Sequence, residues 1–470
     1  MEKPHIAVVP SAGYTHLVPI LEFSKHFLNL HQHFQVTCII PSVGTIPSSS
    51  KSYLQTLPPT IHSIFLPPIS TQQVQQETNL ALQIELSVSI SLPYIRQELK
   101  SLCSRTHVVA LVVDVFAHDA LDLAKELNLF SYIYLPQAAL MLSVYINSSK
   151  LDEMVSSEDR DPDELMEIPG CVPLHVKDLP LPFQFRSSTA YQKFLQRSKK
   201  FHLPDGVLMN TFYELEPDTV RALEELLRGK PKIYPVGPIT QSGSIGQENG
   251  LEYLTWLDKQ QPKSVLYVSF GSGGTLSQDQ LNELALGLEQ SGQNFLWVVR
   301  APSNTATAAY FEDGIEDPLQ FLPNGFLERT KERGLVVPSW VPQVQVLAHS
   351  STGGFLSHCG WNSVLESVVQ GVPIIAWPLF AEQSMNAAMI SRGLKVALRP
   401  KANKDGLVER EEIAKVVRGL MEGEEGKMIG KRMELLKNDA DNAISEGGSS
   451  LKTLSEVAAN WSDIWKNMKC

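Results

Sequence analysis

Two kinds of residue in this sequence could do chemistry together: a histidine and an aspartate at strand ends, and a dense polar and aromatic segment between positions 340 and 383. His16 stands in Gly13-Tyr14-Thr15-His16-Leu17-Val18-Pro19, directly after the apolar run Ile6–Val9. Thr15 reads as a helix N-cap, and Pro19 is tolerated in a first turn. The positive end of a helix disfavours imidazolium, so His16 is expected to stay neutral and basic. Asp114 closes the run Val108–Val113. An Asp at the ring N–H of a His orients the ring and stabilises the proton it takes up. The plain alternative is a capping His and an unrelated loop Asp.

The segment Gly353-Gly354-Phe-Leu-Ser-His358-Cys-Gly360-Trp361-Asn362-Ser363-Val-Leu-Glu366 reads as a strand ending at Ser357, a turn at Gly360 and a helix starting near Asn362/Ser363. Backbone N–H groups at such a start, with Asn362, Ser363 and His358 as further donors, suit a phosphate or diphosphate and need no lysine. Ser363-x-x-Glu366 also has the spacing of a capping box, which would make it a plain helix start. Trp340 follows another apolar run and could stack on a base, or be a partly buried loop residue. Glu382-Gln383 follow the run Val372–Ala376, at the strand end where open α/β sheets bind ligands. A carboxylate beside an amide suits vicinal sugar hydroxyls; a solvated helix start is the alternative.

The elements that must position these residues alternate regularly. Ile6–Val9, Val36–Ile40, Val108–Val113, Tyr132–Leu135 and Val207–Met209 are followed by Val265–Val268, Phe295–Val299, Leu335–Val337, Gly354–Leu356 and Val372–Ala376. They are Val/Ile-rich and apolar on both faces, as in parallel strands covered by helices. The expectation is an α/β, doubly wound chain. Residues 237–250, rich in Gly, Pro and Ser, read as a linker, giving domains 1–240 and 251–470 around 241–250. The last helix is expected either within the second domain or packed back on the first. A second irregular stretch, 301–317, reads as a surface loop.

Several functions are disfavoured. With 51 acidic and 40 basic residues the net charge is −11, the wrong sign for binding nucleic acid or an anionic membrane surface. Five cysteines contain no Cys-x-x-Cys pair, so no disulfide framework or structural zinc site is expected. No Gly-x-Gly-x-x-Gly follows the first strand, no phosphate-loop Gly-x-x-x-x-Gly-Lys-Ser/Thr occurs, and Ser269-Phe-Gly-Ser-Gly273 lacks the first glycine of a nucleophile elbow. His349, His358 and Cys359 have no metal-ligand spacing. No apolar stretch approaches the length of a membrane span, and the N-terminus does not read as a signal peptide. A protein of a reducing compartment, the cytoplasm, is expected.

The motif Trp340-Val-Pro-Gln343 … His358-Cys-Gly-Trp361-Asn362-Ser363 … Glu366 … Phe380-Ala-Glu382-Gln383 spans 383 − 340 + 1 = 44 residues. It resembles the signature box of plant family 1 UDP-sugar-dependent glycosyltransferases, with matching spacing throughout. Ser-Phe-Gly-Ser-Gly-Gly, Ile-Pro-Gly-Cys-Val-Pro and Leu-Lys-Val-Ala-Leu-Arg-Pro are similar to the subgroup that glucosylates hydroquinone, phenols and monolignols. The resemblance implies a GT-B fold, two Rossmann-like domains facing across a cleft. It implies that Trp340 stacks on uracil, Gln343 lies by the nucleoside and Glu366 holds the ribose hydroxyls. Ser272, His358, Asn362 and Ser363 would contact the diphosphate, and Trp361, Glu382 and Gln383 the glucose hydroxyls. His16 matches the family's general base and Asp114 its partner. The first loop reads Gly-Tyr-Thr-His where the subgroup usually has Gly-Met-Gly-His, so Tyr14 and Thr15 would reshape the acceptor entrance.

The expected reaction is inverting O-glucosylation of a small aromatic alcohol from UDP-glucose, without a metal ion or resident cofactor. Glu85, in an otherwise apolar helical stretch, would accept a hydrogen bond from a second phenolic hydroxyl or an indole N–H of the acceptor, or else lie on the helix's wet face. Tyr14, Phe116 and Met141 would form apolar walls. Ester formation on aromatic acids, and a non-catalytic UDP-sugar-binding protein, are the rivals.

Overall fold

A computed structural model of the chain describes residues 3–241, apart from 76, 78, 155–160 and 162, together with 251–307 and 317–468. The chain divides into two compact units. The first comprises Met1–Val176, Pro182–Ser242 and Asp441–Cys470, the second Lys177–Leu181 and Gly243–Ala440. Residues 242–250 of the expected linker, and 308–316 of the expected surface loop, lie outside the described residues.

The first unit is built on strands β1 (His5–Val9), β2 (Gln35–Ile40), β3 (Ile61–Phe65), β4 (Val108–Asp114) and β5 (Phe130–Leu135). After a small antiparallel pair, β6 (Leu165–Met166) and β7 (Leu174–His175), come β8 (Gly206–Met209) and β9 (Lys232–Pro235). The sheet order is β3-β2-β1-β4-β5-β8-β9, all parallel. Every residue of β4 is buried, which is why this strand reads as an unbroken apolar run ending in one carboxylate. Because β1 and β4 are neighbours in register, with Val9 beside Val113, residues just past Val9 and Asp114 emerge at the same sheet edge.

The helix α1 (Tyr14–Leu30) follows β1, and the long helix α2 (Leu80–Arg105) precedes β4. Helix α3 (Thr189–Lys200) carries Tyr191, Phe194, Arg197 and Ser198 on its buried face. The last helix, Ser449–Met468, belongs to this unit. Its Trp461 is fully buried, with ring centroids 5.0 Å from Phe27, 5.3 Å from Tyr132 and 6.2 Å from Phe34.

The second unit holds β10 (Val265–Ser269), β11 (Asn294–Val299), β12 (Gly334–Pro338), β13 (Thr352–Ser357), β14 (Ile374–Ala376) and β15 (Ala397–Leu398). They form a parallel sheet in the order β12-β11-β10-β13-β14-β15. Its core joins Val268, Trp297, Leu356, Ile375 and Trp377 to the helix Gln278–Ser291. Asp178, fully buried, takes Arg392 at 2.8 Å and Arg399 at 2.9 Å within this unit.

Three strands of the two parallel sheets, β3, β9 and β15, leave no apolar run in the sequence. β3 is an edge strand in which only Ile61 is buried and His62, Ser63 and Phe65 are exposed. β9 is four residues ending in proline, and β15 is two residues. Such short or one-sided strands give no continuous apolar run. Val372–Ala376 is trimmed to begin at Ile374; Val372 and Pro373 are irregular residues between the turn at Gly371 and β14.

Candidate functional site

The first cluster lies at the edge of the seven-stranded sheet. β1 ends at Val9, and Gly13 takes φ 108°, ψ 148° before α1 begins at Tyr14. Glycine is the residue that adopts such a conformation without strain. Gly13 is therefore the N-cap residue, and it makes no side-chain cap. This corrects the reading of Thr15 as the cap: Thr15 is already the second helical residue. His16 sits in the first turn, where its Nδ1 lies 3.1 Å from Asp114 Oδ2. Asp114 is 0% exposed. Its Oδ1 accepts a hydrogen bond from Ser11 Oγ and another, at 3.2 Å, from the Phe116 backbone N–H. A buried carboxylate with three donors is fixed in place. With Nδ1 donating to it, a neutral His16 ring carries its lone pair on Nε2. Ser11 was not foreseen; its only signal is its place two residues past β1.

Phe116 sets its ring against His16, centroids 5.1 Å apart and 77° between planes. Tyr14 turns toward Tyr53, at 6.2 Å and 77°, and its hydroxyl accepts a hydrogen bond from Gln241 Nε2 at 3.3 Å. Its ring therefore packs against the core of this unit. Met141 is buried in the helix Ala139–Ile146, whose first N–H groups, Ala139 and Leu140, each donate to the Glu216 carboxylate at 2.9 Å.

Glu85 is not on a wet face. It is 9% exposed on α2, and its Oε2 accepts Arg197 Nη1 at 2.9 Å while Oε1 lies 3.4 Å from His118 Nε2. Burial lowers the His118 pKa, opposed by the Glu85 and Asp119 carboxylates. Arg197 and His118 are polar residues in apolar surroundings that no local pattern singled out.

The second cluster lies wholly in the second unit, at the C-terminal ends of β10, β12, β13 and β14. Ser272 is exposed in the turn after β10. Trp340, two residues past β12, is 44% exposed, leaving a large aromatic surface for stacking. Ser339, with φ 67°, turns the chain there. Gln343 opens the helix Gln343–Ala348. Its Nε2 donates to Ser363 Oγ at 2.8 Å and to Glu366 Oε2 at 2.7 Å. These contacts overturn the capping-box alternative. The helix starts at Trp361 with Gly360 as cap residue and no side-chain cap, so Ser363 and Glu366 are directed to Gln343 rather than to backbone N–H groups. Burial pushes the Glu366 carboxyl up to about 7, against the hydrogen bond from Gln343.

His358 stands between two glycines. A Cβ at Gly271 or Gly360 would come within 2.6 Å or 2.5 Å of its ring. Burial holds its pKa down at about 4, so it is a neutral ring at physiological pH, able to donate one hydrogen bond to an anion without carrying charge. Asn362 is partly buried in the first turn beside it. The Trp361 ring is packed away at 2% exposure, so at the helix start that residue presents its backbone. Gln383 is also buried, and its Oε1 accepts the N–H groups of Leu379 at 2.8 Å and Phe380 at 3.0 Å. It braces the loop after β14. Glu382, partly buried, precedes it after Ala381 at φ 55°.

Among the described residues no group of three or more His, Cys, Asp or Glu side chains is placed to hold a metal ion, and no helix is long and apolar enough to cross a membrane.

Residues 237–423 match a family model described as UDP-glucoronosyl and UDP-glucosyl transferase. The chain is 50% identical to hydroquinone glucosyltransferase of Rauvolfia serpentina over 460 residues, covering 97% of this chain and 98% of that one. Among solved structures it is similar to UGT2 of Phytolacca americana complexed with UDP-2fluoro-glucose and pterostilbene. That likeness has a TM-score of 0.90 and 46% identity, covering 98% and 100% of the two chains. It is similar also to a UDP-glucosyltransferase from Polygonum tinctorium capable of glucosylating indoxyl, in complex with 3,4-dichloroaniline, with TM-score 0.90, 46% identity and coverage of 98% and 99%.

Proposed function

Since this chain belongs to the UDP-glucosyl and UDP-glucuronosyl transferase family and is a GT-B glycosyltransferase of the plant kind that glucosylates small acceptors, we propose that it transfers glucose from UDP-glucose to the hydroxyl of a small aromatic alcohol, with inversion, and that His16 is the general base. The observation that carries this reading is the His16–Asp114 pair. Asp114 is fully buried and bound by Ser11 and by the Phe116 backbone, so it can fix the imidazole with Nδ1 toward itself and Nε2 as the proton acceptor.

In the proposed step the acceptor hydroxyl gives its proton to His16 Nε2 as its oxygen attacks the anomeric carbon. The bond from that carbon to the diphosphate oxygen breaks, and UDP leaves. A single displacement converts the α-linked donor to a β-glucoside. Asp114 stabilises the imidazolium that results. The leaving diphosphate gathers negative charge, which the N–H groups at the start of the helix Trp361–Gln370, Ser272, Asn362, Ser363 and the neutral His358 are suited to accept. Trp340 stacks on uracil, Gln343 lies by the nucleoside, and Glu366 takes the ribose hydroxyls. Glu382, the Gln383 amide and the backbone at Trp361 hold the glucose. Phe116, Tyr14 and Met141 line the acceptor side, and Glu85 takes a donor group of the acceptor. A buried carboxylate held by Arg197 retains lone pairs for such a group.

Freedom from nucleic acid fits the net charge of −11. The test is a panel of phenols, indolyl alcohols and aromatic acids offered with UDP-glucose, with products read by mass and by the anomeric coupling in proton NMR. The reading expects β-O-glucosides of phenolic hydroxyls. Preferential glucose esters, or an α-linked product, would overturn it.

A further inference from the structure

Three buried ionisable groups of the first unit cluster around Phe116, whose ring packs against His16. Arg197, on α3, is 3% exposed, Glu85 on α2 is 9% exposed, and His118 in the turn after β4 is buried. Arg197 Nη1 donates to Glu85 Oε2 at 2.9 Å. His118 Nδ1 lies 3.2 Å from the Val115 carbonyl, which can only accept, so Nδ1 carries a proton and Nε2 faces Glu85. Burying such a set is costly, and apolar residues of similar volume would usually serve stability as well. Its placement points to another use.

The guanidinium lies over the Phe116 ring, 4.6 Å from the centroid, and 5.7 Å from that of Phe194. A planar cation on an aromatic face fixes the ring's tilt through the ring quadrupole. Phe116 in turn touches both halves of the dyad. Its ring edges the His16 imidazole at 5.1 Å, and its backbone N–H donates to Asp114 at 3.2 Å. Thus Glu85 fixes Arg197, Arg197 fixes Phe116, and Phe116 bears on His16 and Asp114.

We propose that Arg197 is a positioning residue for proton transfer: held by Glu85 and stacked on Phe116, it sets the angle at which the His16 imidazole meets the acceptor hydroxyl. This rests on the reading of His16 as the base. A mispositioned base matters most for a hydroxyl that needs its proton removed, and least for one already ionised. Purely structural damage has no such dependence on acceptor acidity.

The full-length protein is assayed with 4-methoxyphenol, whose hydroxyl ionises at about 10 like an ordinary phenol, and with 4-nitrophenol, of similar size but largely ionised at the assay pH. For Arg197→Met, kcat on 4-methoxyphenol is expected to fall about 10- to 100-fold, the scale of a small misplacement of reacting groups. The loss on 4-nitrophenol is expected to be only about threefold or less, since base assistance is then dispensable. The KM for UDP-glucose stays unchanged. Arg197→Lys, which keeps the cation but not the plane, falls between. If Arg197→Met does not fold because Glu85 is left unpaired, Arg197→Lys alone carries the test, with a smaller loss graded in the same way between the two phenols.

Equal losses on both phenols, or no loss on 4-methoxyphenol, would overturn the proposal. His16→Ala run beside it separates the two readings. It should show the same grading with acidity, more steeply. If it does and the Arg197 variants do not, only the role of Arg197 falls; if His16→Ala shows no grading, the base itself is wrong.

Discussion

The Glu366→Gln variant tests the nucleotide site in a way that depends only on the second unit. Glu366 is buried, its Oε2 accepts Gln343 Nε2 at 2.7 Å, and burial raises its pKa to about 7. Ribose hydroxyls donate, so they favour the ionised carboxylate. Below about 7 the carboxyl is mostly protonated and UDP binding is weakened; as pH rises through that value the carboxylate forms and binding strengthens, then levels off. At full ionisation a hydrogen bond to a charged group contributes about 1.5–3 kcal/mol, or roughly 10- to 150-fold in affinity. One pH unit below the pKa about nine-tenths of the carboxyls are protonated, and Glu and Gln become similar neutral partners. The assay is UDP titration by calorimetry from pH 6 to 8.5 on both proteins. Taking the ratio of the two dissociation constants at each pH cancels the ionisation of UDP itself. The ratio should be about 2- to 15-fold at pH 6, where about a tenth of the carboxyls are ionised, and climb to about 10- to 150-fold at pH 8.5. A ratio that does not change with pH, or a Gln variant that binds UDP fully at pH 8.5, would refute the assignment of Glu366 to the ribose.

Gly271→Ala should weaken UDP binding about tenfold or more, because position 271 has φ +76° and its Cβ would lie 2.6 Å from the His358 ring; calorimetry reads this directly. Ser11→Ala removes one of three donors to Asp114 and should lower kcat about tenfold, whereas Asp114→Asn should cost about 10²- to 10⁴-fold; steady-state kinetics order the two. Trp461→Ala empties a fully buried site among Phe27, Phe34 and Tyr132 and should destabilise the first unit by about 3–5 kcal/mol in urea unfolding.

How much of this was legible in the sequence depended on whether a residue's role is local. The apolar runs that are buried on both faces, such as β4 and β10, announce themselves, and so do polar residues placed just past them: His16, Asp114, His358 and Glu382. The one-sided edge strand β3 and the two-residue β15 do not. Gly13 rather than Thr15 ends the loop before α1 because its backbone takes φ 108°, a choice side-chain capping preferences cannot reveal. The partners of Glu366 and Glu85 were hidden for another reason. Gln343 reaches Glu366 from a different helix, and Arg197 reaches Glu85 across 112 positions. A carboxylate that looks like a cap or a wet-face residue in one dimension is redirected by a tertiary donor. Ser11 likewise gains meaning only because β1 and β4 are adjacent in the sheet.

The most direct test of the account is His16→Ala, with glucosyl transfer to a weakly acidic phenol and UDP affinity measured on the same protein. The dyad predicts transfer reduced by about 10²- to 10⁴-fold, with UDP binding unaltered because every residue assigned to the nucleotide lies in the other unit. Wild-type turnover without that imidazole would contradict it.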